Sequence, residues 1–186
     1  GPTDGPAVQR IKDRGRLVVG VDQNSYLWGF RDPATGKIAG FDIDIVRAIA
    51  QNILGDPSKV QYLTVPTDKR IPMIQNHDID MVVRTMTINC ARLKDVAFST
   101  AYFEAGQQIL ASKSSAITGY DRSLKGQKIC TAKGSTGETL LKDKEKGAAS
   151  LGAAYFTVPN QLDCLVRLQL GLANARLQEL DAFVEL

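Results

Sequence analysis

The sequence predicts an α/β protein organised in two units, on three observations. Short β-branched apolar runs alternate with amphipathic stretches of helical spacing from residue 17 onward, the order that builds a largely parallel sheet covered by helices. A strand–loop–helix succession starts near residue 17 and again near residue 128, with the polar run Ser112-Lys113-Ser114-Ser115 between them as a hinge. With 186 residues, 44% of them hydrophobic and 23% charged, the chain can bury a real core, as one large domain or two small ones.

Leu17-Val18-Val19-Gly20-Val21 is short and β-branched and ends in Asp22-Gln23-Asn24-Ser25, a buried strand leading into a polar loop of the kind where ligands sit in open α/β sheets. After the turn Asp32-Pro33-Ala34-Thr35-Gly36 comes Gly40-Phe41-Asp42, and then Ile43, Val46, Ala50 and Ile53 mark one helical face, with Asp42 or Asp44 near the positive end of the helix dipole. Residues 60–64 form the second predicted strand, residues 70–76 a short helix beginning near Pro72, residues 79–83 a third strand, and Val96-Ala97-Phe98 a further one. The first unit is expected over residues 1–109 and the second over 110–172. In the second, Lys128-Ile129-Cys130-Thr131 is a strand, residues 138–146 a helix and Tyr155-Phe156-Thr157-Val158 another strand, and Leu162, Leu165, Val166, Gln169 and Leu172 define a last amphipathic face. Leu177, Leu180 and Val184 fall on one side of a helix predicted over 173–186.

Composition narrows the function. No apolar run approaches the roughly 18 residues of a membrane-spanning helix, no basic-then-apolar leader is present, and Gly1-Pro2-Thr3-Asp4-Gly5-Pro6 reads as a trimmed mature end or a scar. The net charge of +3 is spread along the chain without Lys and Arg interleaved with aromatics, which argues against a nucleic-acid partner. Cys90, Cys130 and Cys164 form no CxxC pair and have a single histidine, His77, for company, so neither a zinc site nor any other cofactor is expected. Count alone fits one disulfide and a leftover thiol as well as three buried free thiols.

The most informative segment is Arg84-Thr85-Met86-Thr87-Ile88-Asn89-Cys90-Ala91-Arg92. It leaves a strand end carrying backbone donors, hydroxyls and a guanidinium, the groups that an α-carboxylate wants. Arg92 offers a planar fork, Thr87 a hydroxyl, and the main chain near Thr85 further polar contacts. The plain alternative is a helix N-cap followed by a solvent-facing arginine.

From residue 16 to 108 the sequence resembles the N-terminal lobe of bacterial solute-binding proteins of the polar amino-acid ABC uptake family, solute-binding protein family 3. The residues that carry the resemblance are Gly40-Phe41-Asp42-Ile43-Asp44, Arg70-Ile71-Pro72, Asp78-Ile79-Asp80, Met86-Thr87-Ile88, Arg92, Val96-Ala97-Phe98-Ser99, Tyr102 and Gly106-Gln107. Val158-Pro159-Asn160 and Asp163-Cys164-Leu165-Val166 are similar to actinobacterial glutamine- and glutamate-binding lipoproteins. The resemblance implies a two-lobe periplasmic-binding-protein fold of type II, the Venus flytrap. It also implies a receptor for Glu, Gln, Asp or Asn that works outside the cytoplasm, lipid-anchored in its precursor, and serves the membrane permease of an ABC transporter or a membrane sensor. On this likeness Arg92, Thr87 and Thr85 take the α-carboxylate, Asp22 contacts the ligand's side chain or amine, and Trp28, with Phe30, belongs to an aromatic wall.

Lys133-Gly134-Ser135-Thr136-Gly137 is similar to the second-lobe loop in which Lys133, Ser135 and Thr136 would meet the ligand's carboxylates, and a helix N-terminus favours an anion. No Lys-Ser or Lys-Thr follows the second glycine, so it is not a nucleotide loop. The likeness also implies a Cys130–Cys164 bridge. It leads one to expect a further strand ending in an acid that anchors the ligand's ammonium; Glu179, Asp181 and Glu185 fall on the predicted helix instead, so the second lobe is read as truncated. Ligand charge stays open, because Lys133 favours an acid and Asp22 an amide or amine. The alternative function is an enzyme on the same fold, such as a cyclohexadienyl-dehydratase-like lyase, for which Asp22 and Glu104 are the available acids and no nucleophile–base pair is evident.

Overall fold

The structure, a computed structural model, describes residues 5–180, and the chain divides into two compact units between Phe98 and Ser99. The boundary expected after residue 109 instead falls inside a strand of the second unit.

In the first unit, helix α1 (Pro6–Arg14) starts on a proline and closes on Gly15, at φ 71°, the left-handed conformation that ends many helices. Strand β1 (Leu17–Val21) runs parallel to β5 (Val60–Thr64) on one side and to β6 (Met81–Val82) on the other. All five residues of β1 are buried, which is why it reads as a continuous apolar run without alternation. A Cβ on Gly20 would lie 2.8 Å from Ile79 Cδ1 and 2.9 Å from a Val65 methyl, so the strand centre has room for nothing larger. A small antiparallel sheet of β2 (Asn24–Ser25), β3 (Gly29–Arg31) and β4 (Ile38–Ala39) follows β1, where only a polar loop and a turn were expected. Helix α2 (Phe41–Leu54) packs Ile43, Val46 and Ala50 against Leu17, Val19 and Val21, and α3 (Arg70–Gln75) connects β5 to β6.

Two expectations for this unit need correction. The third strand is shorter than residues 79–83, and residues 96–98 form no strand. Val96 and Phe98 are half-buried on either side of exposed Ala97, so irregular chain packing produces the two-residue period without a ladder.

The second unit holds one mixed sheet in the order β7 (Gly106–Ala111), β10 (Ala175–Leu180), β8 (Lys128–Ala132), β9 (Ala154–Val158). Helices α4 (Thr136–Lys142) and α5 (Gln161–Gln169) complete it. Leu124, Ile129, Leu141, Ala175 and Leu177 form one core cluster, and Cys130, Val158, Cys164 and Ala173 another. Cys130 and Cys164 are joined in a disulfide with Cα atoms 5.5 Å apart, tying β8 to α5.

Residues 175–180 are strand, not the helix expected over 173–186, and residues 181–186 of that expectation lie outside the described residues. Ala175 and Leu177 are buried while Arg176 and Gln178 are half-buried, a period of two. Pairing with β7 on one side and β8 on the other overrides a local pattern that also fits a helix. The strand thought to be missing after α5 is therefore present.

Candidate functional site

Strand β1 lies between β5 and β6, so the crossovers before and after β5 leave in opposite directions and open a crevice at the carboxyl ends of β1 and β6. Asp22 follows β1 directly, and the loop from Arg84 to Arg92 follows β6.

Beneath this loop lie four charged side chains, two of each sign: Asp22 is 6% exposed, Asp42 0%, Arg70 4% and Arg84 4%. Arg84 pairs with Asp22 Oδ2 at 3.4 Å. Asp22 Oδ1 accepts the Gln23 and Asn24 amides at 2.8 and 3.1 Å, and Oδ2 accepts the Ser25 hydroxyl at 2.6 Å. Arg70 Nε donates to the Thr67 carbonyl at 2.9 Å, and its Nη1 donates to the carbonyls of Arg84 and Thr85 at 3.3 and 3.5 Å. Asp42 Oδ2 accepts the Thr85 amide at 3.2 Å. Burial pulls the Arg84 pKa below its ordinary value against the opposing charges of Asp22 and Asp42. Desolvating ions costs several kcal/mol each unless charge balance and hydrogen bonds offset it; here two acids face two bases, and Asp22, Asp42 and Arg70 are hydrogen-bonded.

The network fixes an unusual backbone. Thr85 has φ 37°, rare for a β-branched residue, and Asp42 holds its amide while Arg70 holds its carbonyl. Such strain concentrates at binding and switch sites. Downstream, Asn89 Oδ1 accepts the Arg92 amide at 3.0 Å at the start of a 3-10 turn over Arg92–Lys94, and Arg92 Nη1 donates to the Thr87 carbonyl at 2.7 Å. Thr85, Thr87 and Arg92 thus share one braced, half-buried loop, with the free thiol of Cys90 exposed on it.

Trp28 is tied to the same network through α2. Its carbonyl accepts the Asp42 amide at 3.0 Å, that of Leu27 accepts the Phe41 amide at 2.8 Å, and its ring meets Phe41 edge-on with centroids 5.3 Å apart. Each residue of Gly40-Phe41-Asp42 therefore has a physical reason: Gly40 admits the Trp28 backbone, Phe41 packs on its ring, and Asp42 reaches Thr85.

In the second unit, Gly134 has φ 76° and donates its amide to Glu138 Oε2 at 2.6 Å. Ser135 caps α4, its hydroxyl oxygen accepting the Glu138 amide at 3.1 Å while the hydroxyl donates to the Ala132 carbonyl at 2.6 Å. Thr136 Oγ1 accepts from the Gln107 side chain at 2.7 Å, and Lys133 is exposed at the loop's start. Burial alone would raise the Glu138 pKa; the bond from Lys142, the Gly134 amide and the charges of Lys142 and Lys133 together bring it below its ordinary value. A carboxylate of the chain itself thus helps hold this loop. Glu179 lies in β10 opposite Gln107, whereas Asp181 and Glu185 lie outside the described residues.

Sequence reasoning missed the joint role of Asp42, Arg70 and Arg84. Their signal was ionisable residues beside apolar strands and at a helix start, but only the fold shows them meeting. Among the described residues, no group of three or more His, Cys, Asp or Glu could hold a metal, and no helix is long and apolar enough to cross a membrane.

Comparison with known proteins places the chain in a family. A glutamine-binding ABC transporter protein of Bacillus subtilis is 46% identical over 141 residues, covering 76% of this chain and 52% of that protein. A glutamine-binding protein of Geobacillus stearothermophilus is 46% identical over 168 residues, covering 90% and 62%. The chain thus spans roughly half to three-fifths of these relatives' length. Among solved structures, a solute receptor for L-cysteine of Neisseria gonorrhoeae superposes with TM-score 0.85 at 23% identity, over 92% of this chain and 67% of that one. An ancestral arginine-binding protein bound to glutamine gives 0.80 at 38%, over 89% and 70%. Residues 17–180 match the bacterial extracellular solute-binding proteins, family 3, and the chain belongs to that family, with the α/β fold of type II periplasmic binding proteins.

Proposed function

We propose that this chain carries ligand-gripping loops of an extracytoplasmic receptor for a polar or acidic amino acid, Glu, Gln, Asp or Asn, which passes its ligand to the membrane permease of an ABC importer and performs no covalent chemistry. The observation that carries this reading is the loop of Thr85, Thr87 and Arg92, braced by buried charges at the crevice of a parallel sheet. A pre-set loop spends little ordering entropy on binding, and a guanidinium beside a hydroxyl suits a carboxylate, each charge-assisted bond contributing about 1.5–3 kcal/mol. Lys133, Ser135 and Thr136 form a second polar loop suited to an anion at the start of α4, and Trp28 offers an aromatic surface. Asp22, with its oxygens engaged by the turn, Ser25 and Arg84, supports the loop and is poorly placed as an acid catalyst. Glu104 lies on exposed chain, so neither acid favours the lyase alternative. The Bacillus subtilis relative is an ABC transporter protein, which favours a permease over a sensor as partner.

Isothermal titration of the chain with the common amino acids tests the reading. Saturable binding of an acidic or amide amino acid is expected, weakened about 100-fold by Arg92→Ala, equivalent to about 2.7 kcal/mol. An unchanged Kd in that variant, no binding at all, or consumption of the ligand would overturn it.

A further inference from the structure

We infer that Arg84 is an internal counter-ion for Asp22 and thereby decides which side chains the site accepts: acidic and amide ones, and not cationic ones. The inference rests on the receptor reading above and narrows the substrate class of the same site.

Asp22 and Arg84 come from the carboxyl ends of two neighbouring parallel strands, Asp22 directly after β1 and Arg84 two residues after Val82 of β6. A carboxylate offers about four acceptor positions. Those of Asp22 are taken by the Gln23 and Asn24 amides, the Ser25 hydroxyl and the Arg84 guanidinium. A ligand ammonium or guanidinium arriving at the strand ends would find that charge already answered. The other charges around Arg84 do not change the balance: Asp42 acts on it electrostatically, and Arg70 binds its carbonyl, so two acids and two bases cancel. A cationic ligand side chain would be desolvated there without a partner, which is strongly unfavourable. Removing the Arg84 charge leaves the set one negative charge in excess, at a place shielded from water.

The test is isothermal titration of glutamate, glutamine, lysine and arginine into the chain, Arg84→Met, Arg84→Lys and the double variant Arg84→Met/Asp22→Asn. In the wild type, lysine and arginine should bind about 100-fold more weakly than the preferred ligand. Arg84→Met should close that gap by about tenfold or more, Arg84→Lys should keep the wild-type order, and the double variant should lose the gain. Asp22→Asn alone retains an acceptor for the turn and leaves Arg84 unanswered. It should shift the glutamate-to-glutamine preference toward glutamate by about tenfold, a readout that stands even where Arg84→Met does not fold. Wild-type order in a folded Arg84→Met, or an unmoved glutamate-to-glutamine ratio in Asp22→Asn, overturns the counter-ion role alone. A wild type that binds none of the amino acids overturns the receptor reading and this inference with it.

Discussion

A methyl group on residue 40 would sit 2.3 Å from the Trp28 carbonyl oxygen, well inside contact distance, at a φ of 122° that residues with a Cβ rarely adopt. Gly40→Ala is expected to destabilise the first unit by about 2–4 kcal/mol, read as a lower urea midpoint and altered Trp28 fluorescence; an unchanged midpoint would show that the loop yields cheaply. The motif around Gly40 was legible as a string of letters, whereas its reason was not. Asp42 looked like an acid placed to favour a helix dipole. Its partner is the amide of Thr85, 43 residues away, and no local window of sequence contains both. Arg92 and Thr87 stood out together because they lie five residues apart in one polar segment, and the fold joins them through the bond from Arg92 Nη1 to the Thr87 carbonyl. Asp22 drew attention by its place directly after β1, but nothing in a sequence reveals that it pairs with Arg84.

At the scale of elements, buried parallel strands announced themselves through runs of β-branched residues, and helix α2 through its four apolar positions. Strand β10 did not, because its six residues fit helical and extended spacing alike and only two flanking ladders decide between them. The Cys130–Cys164 bridge closes a separation of 34 residues, and its loss should cost about 3–4 kcal/mol on the chain-entropy estimate. Replacing both cysteines by alanine is expected to speed amide exchange in α5, β8 and β9 and to leave β1, β5 and α2 unaffected. Equal effects in both units would mean that the bridge is not local in its action.

For the whole chain, acid is the condition most readily predicted. Backbone amides hold Asp32 and Asp143 below the ordinary aspartate value of 3.8, and Ser58 and Ser123, through hydroxyl and amide, do the same for Asp56 and Asp121. Glu138 is lowered as described above from its ordinary 4.5. Groups depressed in the folded state add stability that is fully present above their unfolded values and is lost as pH falls through the folded ones. The urea midpoint should therefore fall steadily below about pH 4.5, and a midpoint that rises on acidification would contradict these assignments.

The place of β10 in its sheet also bears on the order of events during synthesis. The strand lies between β7 and β8 and contributes Ala175 and Leu177 to the core, so the second unit cannot close its sheet until residues 175–180 have emerged. The first unit draws its strands from residues 17–82 and can form while the rest is still being made. During that interval β7 and β8 lack the strand that separates them, and their open edges make the half-made second unit the part most exposed to aggregation.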